Sequence, residues 1–319
     1  ARGANGVVMI TTKGGKEGKA NITWRSTVGW SSRALDEYDM VDGKDYVQLT
    51  YEAIRNSYIF NSGYSWDAAA AQARADLGGN LGGELYNPFK NYTWDTIIDP
   101  ATGMVRPDAQ AAWNEKWMDA LQRDDALRHE HQLAINGGTD KTKYMFSLGY
   151  LNEDGILVTT GFQRYNARAN VMSNINHWFK ANANLSLSNS VQNFSDYSGS
   201  STSTGWYSAQ FVSPLCPVYI KDLAGNDVLD EFGNRQLDYG EQGRPGSYND
   251  YNPLGGLLDD IADVKNDVAS LRTGMTFGSD EESMGVFQGL KLAVNFGADY
   301  RSQLQKSYMN MYHGNQANA

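Results

Sequence analysis

A few short stretches of the 319-residue chain carry residue types that could do chemistry. GGKEGKA (14–20) is close to a phosphate-binding loop. However, its second Gly falls one position early, and Ala20 stands where such a loop has the Ser or Thr that holds magnesium. His129 and His131 share one face of a predicted strand, which would suit a metal site, but no third ligand lies nearby in the sequence. We therefore interpret the first stretch as a flexible basic linker and the histidines as a strand-end pair.

The acidic segment KDLAGNDVLDEFGN (221–234) suggests calcium binding, yet Asp227 stands where an EF-hand loop requires Gly. Turns in a Tyr- and Asp-rich loop explain the same residues. Glu153 and Asp154 are adjacent loop carboxylates and make no acid–base pair in an anchoring motif. There is no GxSxG elbow. The sequence thus predicts no catalytic residue, no metal site, no cofactor and no enzyme activity.

Charge and cysteine content limit the function further. The formal net charge is −10, with 37 acidic against 27 basic residues, which argues against a nucleic-acid partner. The single Cys216 excludes a disulfide framework and a cysteine metal site within the chain. The chain starts at ARGANGVV without an initiating Met, so we expect a fragment or a processed piece of a longer protein.

The elements that would position any site are long two-faced strands. In FKANANLSLSNSV (179–191) one alternate set is apolar except for Asn189, and the other set is wholly polar. Successive side chains of a strand point to opposite faces. The length exceeds the globular average of about 5–6 residues and matches the roughly 9–11 that cross a bilayer at a tilt. The same pattern recurs, more weakly in 129–136, over residues 20–30, 129–136, 143–150, 162–172, 269–277 and 290–300.

The basic residues of these strands segregate to the polar face. A cation facing lipid costs about 2–4 kcal/mol at mid-bilayer, so a membrane barrel would turn such side chains to its lumen. A soluble sheet with one wet face would also alternate. We expect the following side chains to face the lumen: Arg25, Arg164, Arg168, Lys180, Arg272 and Lys291.

Long and short connections alternate between the strands. The two long inserts are 31–128 and 193–267, and tight connections lie at NGGTDKTK (136–143) and around SNINHW (173–178). Outer-membrane barrels have short turns on the periplasmic side and long loops outside. Helical spacing predicts helices over 46–59, 66–77 and 108–123, with Asp67 and Asp108 as N-caps and Gly78 as a stop.

Several of these stretches resemble one family. ARGANGVVMITTKGGKEGK (1–19) resembles the end of the plug and the linker into the barrel of SusC/RagA-like TonB-dependent transporters. Four further stretches of the chain resemble successive barrel stretches of that family, in the same order: 38–56, 129–157, 162–171 and SPLCPVY (213–219). The implied organisation is a plug end over 1–15 and the N-terminal part of a barrel over 16–319.

The resemblance implies an all-β fold, here about seven antiparallel strands of a larger barrel of about 22. It also implies a Gram-negative outer-membrane location in contact with membrane lipid, import of glycan or peptide, a SusD-like lipoprotein lid and energy from the TonB complex. Most of the plug and the energy-coupling box are missing, so this piece does not transport alone. A secreted or surface glycan-binding β protein without transport is the alternative.

Aromatic residues in the second insert are the candidate substrate contacts. They lie among Gly, Ser and Asn, and aromatic faces beside hydrogen-bonding groups suit sugar rings or peptide side chains. Packing of the loop onto itself or onto a lid would explain them equally well. The aromatic residues are Trp206, Tyr207, Tyr219, Tyr239, Tyr248 and Tyr251, and the first three are our candidates for cargo contact.

Overall fold

A seven-stranded antiparallel sheet in sequential order dominates the computed structural model, which describes residues 15–35, 38–194, 205–240, 243–244, 252–279 and 288–308. The order confirms the predicted partial, all-antiparallel sheet. The strands are β1 (Gly18–Ser31), β2 (Ala126–Gly138), β3 (Thr142–Asp154), β4 (Gly161–Asn176), β5 (Phe179–Asn193), β6 (Ile261–Phe277) and β7 (Leu292–Tyr308).

The pairing register aligns residues into rows that cross all seven strands. Because paired residues share a face, each row tests the predicted alternation. Two neighbouring rows are apolar throughout, and we call their side of the sheet the apolar face and the opposite side the polar face. The rows are Ile22–Ile135–Phe146–Ala169–Leu185–Leu271–Ala298 and Trp24–Leu133–Leu148–Ala167–Leu187–Ala269–Tyr300.

Two strands extend furthest beyond their predicted bounds. β6 begins at Ile261, eight residues before the predicted start at residue 269, so the connection between β5 and β6 covers 194–260 and is shorter than the predicted insert 193–267. β7 continues to Tyr308. Both extensions lie at the same end of the sheet, where the alternation weakens because Asp263, Lys265 and Asp267 occupy the apolar side.

Helices α1 and α2 form in the first insert as predicted, although the caps of α2 differ from the prediction. α1 (Gly43–Ser62) begins after Asp42, whose carboxylate accepts a hydrogen bond from the backbone N of Asp45. α2 (Trp66–Asn80) is capped by Ser65, whose Oγ accepts from the N of Ala68, so the prediction of Asp67 as N-cap is wrong. A hydroxyl just outside the first turn reaches the free N–H groups that an N-cap satisfies. The helix also passes the predicted stop at Gly78 by two residues.

The predicted helix 108–123 is wrong over most of its length, because only α3 (Trp117–Leu121) is helical. Tertiary contacts replace the helical hydrogen bonds upstream. The backbone N of Ala112 donates to the carbonyl of Pro88, and that of Glu115 donates to Pro214. Asp108 is not a cap, since its carboxylate accepts from the Tyr92 hydroxyl at 2.7 Å.

Most of the buried residues lie in the connections at one end of the sheet. One apolar cluster joins α1 and α2 to residues 81–109, around Trp94, Phe89 and Leu77. A second cluster joins α3 to α4 (Gly205–Ala209), α5 (Pro253–Asp259) and Cys216. No helix in the described ranges is both long and apolar enough to cross a membrane.

Candidate functional site

Three connections at one end of the sheet pack into one unit, which we call the loop body. It consists of the described parts of 32–125, 155–160 and 194–260. The indole N–H of Trp113 donates to the carbonyl of Leu215 at 2.9 Å, and that of Trp117 donates to Cys216 at 3.0 Å. These bonds tie the first insert to the second, so the two inserts form one surface.

The connection between β3 and β4 joins the same unit. The guanidinium of Arg123 donates to the carbonyls of Gly155 and Leu157 at 2.9 and 3.0 Å. The backbone N of Val158 donates to Leu121, and Leu157 and Val158 pack on the second apolar cluster. The loop body is therefore anchored above β3 and β4 as well as above the strands that flank the long inserts.

A buried ion pair lies inside the loop body. Arg244 and Asp238 contact each other at 3.1 Å, and their side chains are 1% and 5% exposed. The Tyr86 hydroxyl donates to the Asp238 carboxylate at 3.2 Å, and the backbone N of Gly240 donates to it at 2.8 Å. Burial, and then the negative charge of Asp238, raise the pKa of Tyr86. The carboxylate of the pair therefore has two further hydrogen-bond donors, which a buried charge needs if it is to be stable.

Asn252 completes this polar cluster and is itself fully buried. Its side-chain amide donates to the carbonyls of Val218 and Asp238, and its oxygen accepts from the N of Leu254 and of Gly255. It thereby acts as the N-cap of α5. All of these bonds are internal, so the cluster holds the loop body together and leaves little capacity to bind a ligand.

The candidate cargo aromatics lie on the loop body. Trp206 and Tyr219 are half-buried against the second apolar cluster, and the Arg33 guanidinium lies 5.4 Å from the centre of the Trp206 ring. Tyr207 contacts the Phe211 ring at 4.7 Å, and Arg235 stacks 3.8 Å from the Tyr219 ring. Tyr248 and Tyr251 lie outside the described residues.

The acidic segment 221–234 forms two similar turns. In each, an Asp carboxylate accepts from backbone N–H groups and from an Asn four residues later, with Asp222–Asn226 in the first turn and Asp230–Asn234 in the second. The bond from the Asn226 side chain lowers the pKa of Asp222, and the backbone N–H of Asn234 lowers that of Asp230. These carboxylates are engaged in turn bonds, as in the turn interpretation of this segment.

Five of the six basic residues predicted to face the lumen lie on one face of the sheet. Arg25, Arg164, Arg168, Lys180 and Arg272 all fall in rows of the polar face. Lys291 lies immediately before β7. The Arg272 guanidinium pairs with the Asp299 carboxylate of the neighbouring strand at 2.6 Å. The polar face therefore carries cations and amides along its whole height.

The histidine pair occupies the apolar face. The rings of His129 and His131 are 5.4 Å apart, and the Ser26 hydroxyl bonds to Nδ1 of His131 at 2.9 Å. Among the described residues, no three His, Cys, Asp or Glu side chains cluster as a metal site would need. The linker GGKEGKA is described only from Gly15 onward, where Glu17 lies 4.0 Å from Lys143.

A row of polar residues on the apolar face was not predicted from the sequence. We call it the polar row: Ser26, His131, Tyr150, Tyr165, Asn189, Asp267 and Ser302. It lies directly beside the apolar row of Trp24, on the side of the loop body. Each residue looks like an isolated exception in its own strand, and only the pairing register brings them together.

Comparisons with known proteins agree with this architecture. No family model matches the chain. A TonB-dependent receptor SusC from Bacteroides thetaiotaomicron is 24% identical over 98% of this chain and 26% of its own length. A TonB-dependent receptor P3 from Formosa agariphila is 22% identical over 93% of this chain and 22% of its own length. The chain therefore spans about a quarter of the length of these curated relatives.

Solved structures show the same fold. The RagAB peptide importer in its closed-closed state matches with a TM-score of 0.61 and 21% identity, over 96% of this chain and 31% of the matched chain. Its open-open state matches with a TM-score of 0.57 and 21% identity, over 96% and 30% of the two chains. At this identity the match establishes the fold of the sheet and its connections. Together with the sequence matches, it shows that this chain is similar to one part of SusC- and RagA-like TonB-dependent receptors and has the fold of the matched part.

Proposed function

We propose that the chain forms part of an outer-membrane transporter that imports glycan or peptide nutrients. The observation that carries the proposal is the sheet: strands of 13 to 17 residues have unbroken apolar rows on one face and cations on the other. A tilted transmembrane strand needs about 9–11 residues, and a barrel wall turns apolar side chains to lipid. The loop body then covers the extracellular end.

The partners in this proposal are a SusD-like surface lipoprotein and the TonB complex. The support is the similarity to receptors described as TonB-dependent and to a structure described as the RagAB peptide importer. In this proposal the TonB complex supplies the energy for import. The packed loop body offers a stable outer surface on which a lid could rest.

The rival function is a secreted or surface glycan-binding protein without transport. Fractionation of the full-length protein separates the two, because a barrel stays in the outer membrane until detergent extracts it. Deleting its gene should then abolish growth on the cognate glycan or peptide as sole nutrient. Release into the medium, or unchanged growth on every nutrient tested, would contradict the transport function.

The polar face lines the lumen in this proposal, and aqueous thiol labelling tests the register. Single cysteines at 164, 166 and 168 should react with a charged maleimide, while those at 165, 167 and 169 should not, because strand neighbours point to opposite faces. The native Cys216 gives little background, since burial raises its pKa to about 12. The reverse labelling pattern would show that the faces are assigned the wrong way round.

We further propose that Trp206, Tyr207 and Tyr219 contact cargo, and that Trp206 and Tyr207 matter most. Replacing both with Ala in the full-length transporter should lower uptake at limiting nutrient by about tenfold, since two lost aromatic contacts are worth about 1–3 kcal/mol. The growth rate at limiting nutrient measures this loss of uptake. Tyr38→Ala, which removes a tyrosine that is 94% exposed elsewhere in the loop body, is the matched control.

A packing role would give a different result for the same pair. If Trp206 and Tyr207 only hold the loop body together, the double variant should become sensitive to protease at the cell surface. Its loss of uptake should then follow the fraction of protein that the protease cleaves. Normal protease resistance with reduced uptake supports cargo contact. Unchanged uptake at limiting nutrient, with normal surface levels, would reject it.

A further inference from the structure

The apolar face changes character abruptly at the polar row. Below it lie the two wholly apolar rows, and the row itself presents hydroxyl, amide, imidazole and carboxylate groups. Its members already contact one another along the row: the Asn189 amide donates a hydrogen bond to Asp267 at 2.5 Å, and the Tyr150 and Tyr165 ring centroids lie 4.8 Å apart. A molecule lying on this face would meet hydrocarbon on one side of the boundary and hydrogen-bonding groups on the other.

A furrow in the apolar face runs along β4. Below Tyr165 the next two residues on this face are Ala167 and Ala169, whereas the paired positions on β3 are Leu148 and Phe146. On the other side, β5 presents Leu187 and Leu185. Because neighbouring strands are about 4.8 Å apart, the walls stand about 10 Å apart over a floor of methyl groups. Allowing for the wall side chains, that gap suits one hydrocarbon chain, about 4–5 Å wide.

At the head of this furrow lies a depression of about 630 Å³, which extends across the sheet from Trp24 of β1 to Tyr300 of β7. Its lining combines the apolar row with the polar row, including Trp24, Leu148, Tyr150, Tyr165 and Ala167. The Gln163 amide donates to the Tyr150 hydroxyl at 3.1 Å. Nearby, Nδ1 of His129 is buried and has no hydrogen-bond partner among the described residues.

We propose that this depression binds an outer-leaflet lipid with a sugar headgroup. The headgroup lies against the polar row, with sugar hydroxyls bonded to the tyrosine, histidine and asparagine side chains, and one acyl chain follows the furrow on β4. Uncharged hydrogen-bonding groups and stacked tyrosine rings suit sugar hydroxyls and ring faces. The Asp267 carboxylate would oppose a bare phosphate. The site rests on the outer-membrane location and goes beyond the transport function.

Filling the furrow tests the site. The full-length transporter is purified in mild detergent and titrated with a purified diglucosamine glycolipid or with phosphatidylethanolamine, and bound lipid is counted by native mass spectrometry. The wild-type protein should retain the glycolipid in preference to phosphatidylethanolamine. Ala167→Phe should reduce its retention about tenfold, equivalent to about 1.4 kcal/mol. Ala298→Phe makes the same change on this face but outside the depression. The Ala298→Phe protein should retain as much glycolipid as the wild type.

A second variant separates headgroup recognition from acyl binding. Tyr150→Phe with Tyr165→Phe removes two hydroxyls without changing the furrow, so the preference for glycolipid should disappear while phosphatidylethanolamine still binds. Equal glycolipid retention by wild type and Ala167→Phe would overturn the site, as would equal retention of both lipids by the wild type. Loss of a dimer peak in Ala167→Phe, with no change in lipid, would assign the face to a second copy. Absence from the outer-membrane fraction would instead count against the proposed function.

Discussion

Asp238→Asn is expected to lower the free energy of unfolding of the loop body by about 3 kcal/mol, because it removes the carboxylate that faces the Arg244 guanidinium in a buried ion pair. The Arg244 side chain is 1% exposed, so water cannot readily replace the lost carboxylate. Pulse proteolysis of the full-length transporter in increasing urea measures the effect, since the loop body should become cleavable at lower urea.

Two further variants define this result. Asp67→Ala removes an exposed carboxylate from the first turn of α2 and should change stability by less than about 0.5 kcal/mol. Combining Asp238→Asn with Arg244→Met removes both charges and should recover part of the loss, because the two effects are coupled. An Asp238→Asn protein as resistant as wild type would show that the pair does not hold the loop body closed.

Trp117→Ala is expected to cost about 3–5 kcal/mol, the range for removing a large buried aromatic side chain. Trp117 is 2% exposed, belongs to the second apolar cluster and donates to the carbonyl of Cys216. Loss of the indole therefore creates a cavity between the inserts and removes a bond that joins them.

The reactivity of Cys216 reports this opening directly, because the thiol is buried in the same cluster. If labelling requires the loop body to open, a loss of 3 kcal/mol should raise the maleimide rate about 100-fold. Trp66→Ala, at a tryptophan that is 60% exposed, is the matched control and should leave the rate within about fivefold. Unchanged Cys216 labelling in Trp117→Ala would contradict a role for Trp117 in closing the unit.

The sheet was predictable because a membrane-type strand repeats a simple alternation. All seven strands follow it across the two apolar rows, and there the expected faces agree with the register. The prediction failed at the start of β6, where Asp263 and Lys265 take positions on the apolar side. Near the loop body the strand leaves the apolar band, so hydrophobic alternation no longer marks it even though backbone pairing continues.

The loop body was less predictable, for two physical reasons. Residues 108–116 have good helix-forming composition, but bonds to Pro88 and Pro214 override that preference. Asp238 and Arg244 lie in a Gly-rich segment that looks like a solvated loop, and nothing local indicates that they are buried against Tyr86. The polar row was also unpredictable, because it forms only when residues from different strands pair. In contrast, α1 and α2 were predictable because the apolar spacing that marks a helix is local in sequence.

The bonds between the two inserts also constrain when the loop body can form. Tyr86 and Asp238 are 152 residues apart in sequence, and Trp117 and Cys216 are 99 apart. Such long-range contacts give a high contact order, and closing them requires the chain between them to be placed first. Strands β2 to β5 lie within that span. We therefore expect the first insert to stay incompletely packed until those strands have paired, so that assembly of the wall sets the folding rate of the surface above it.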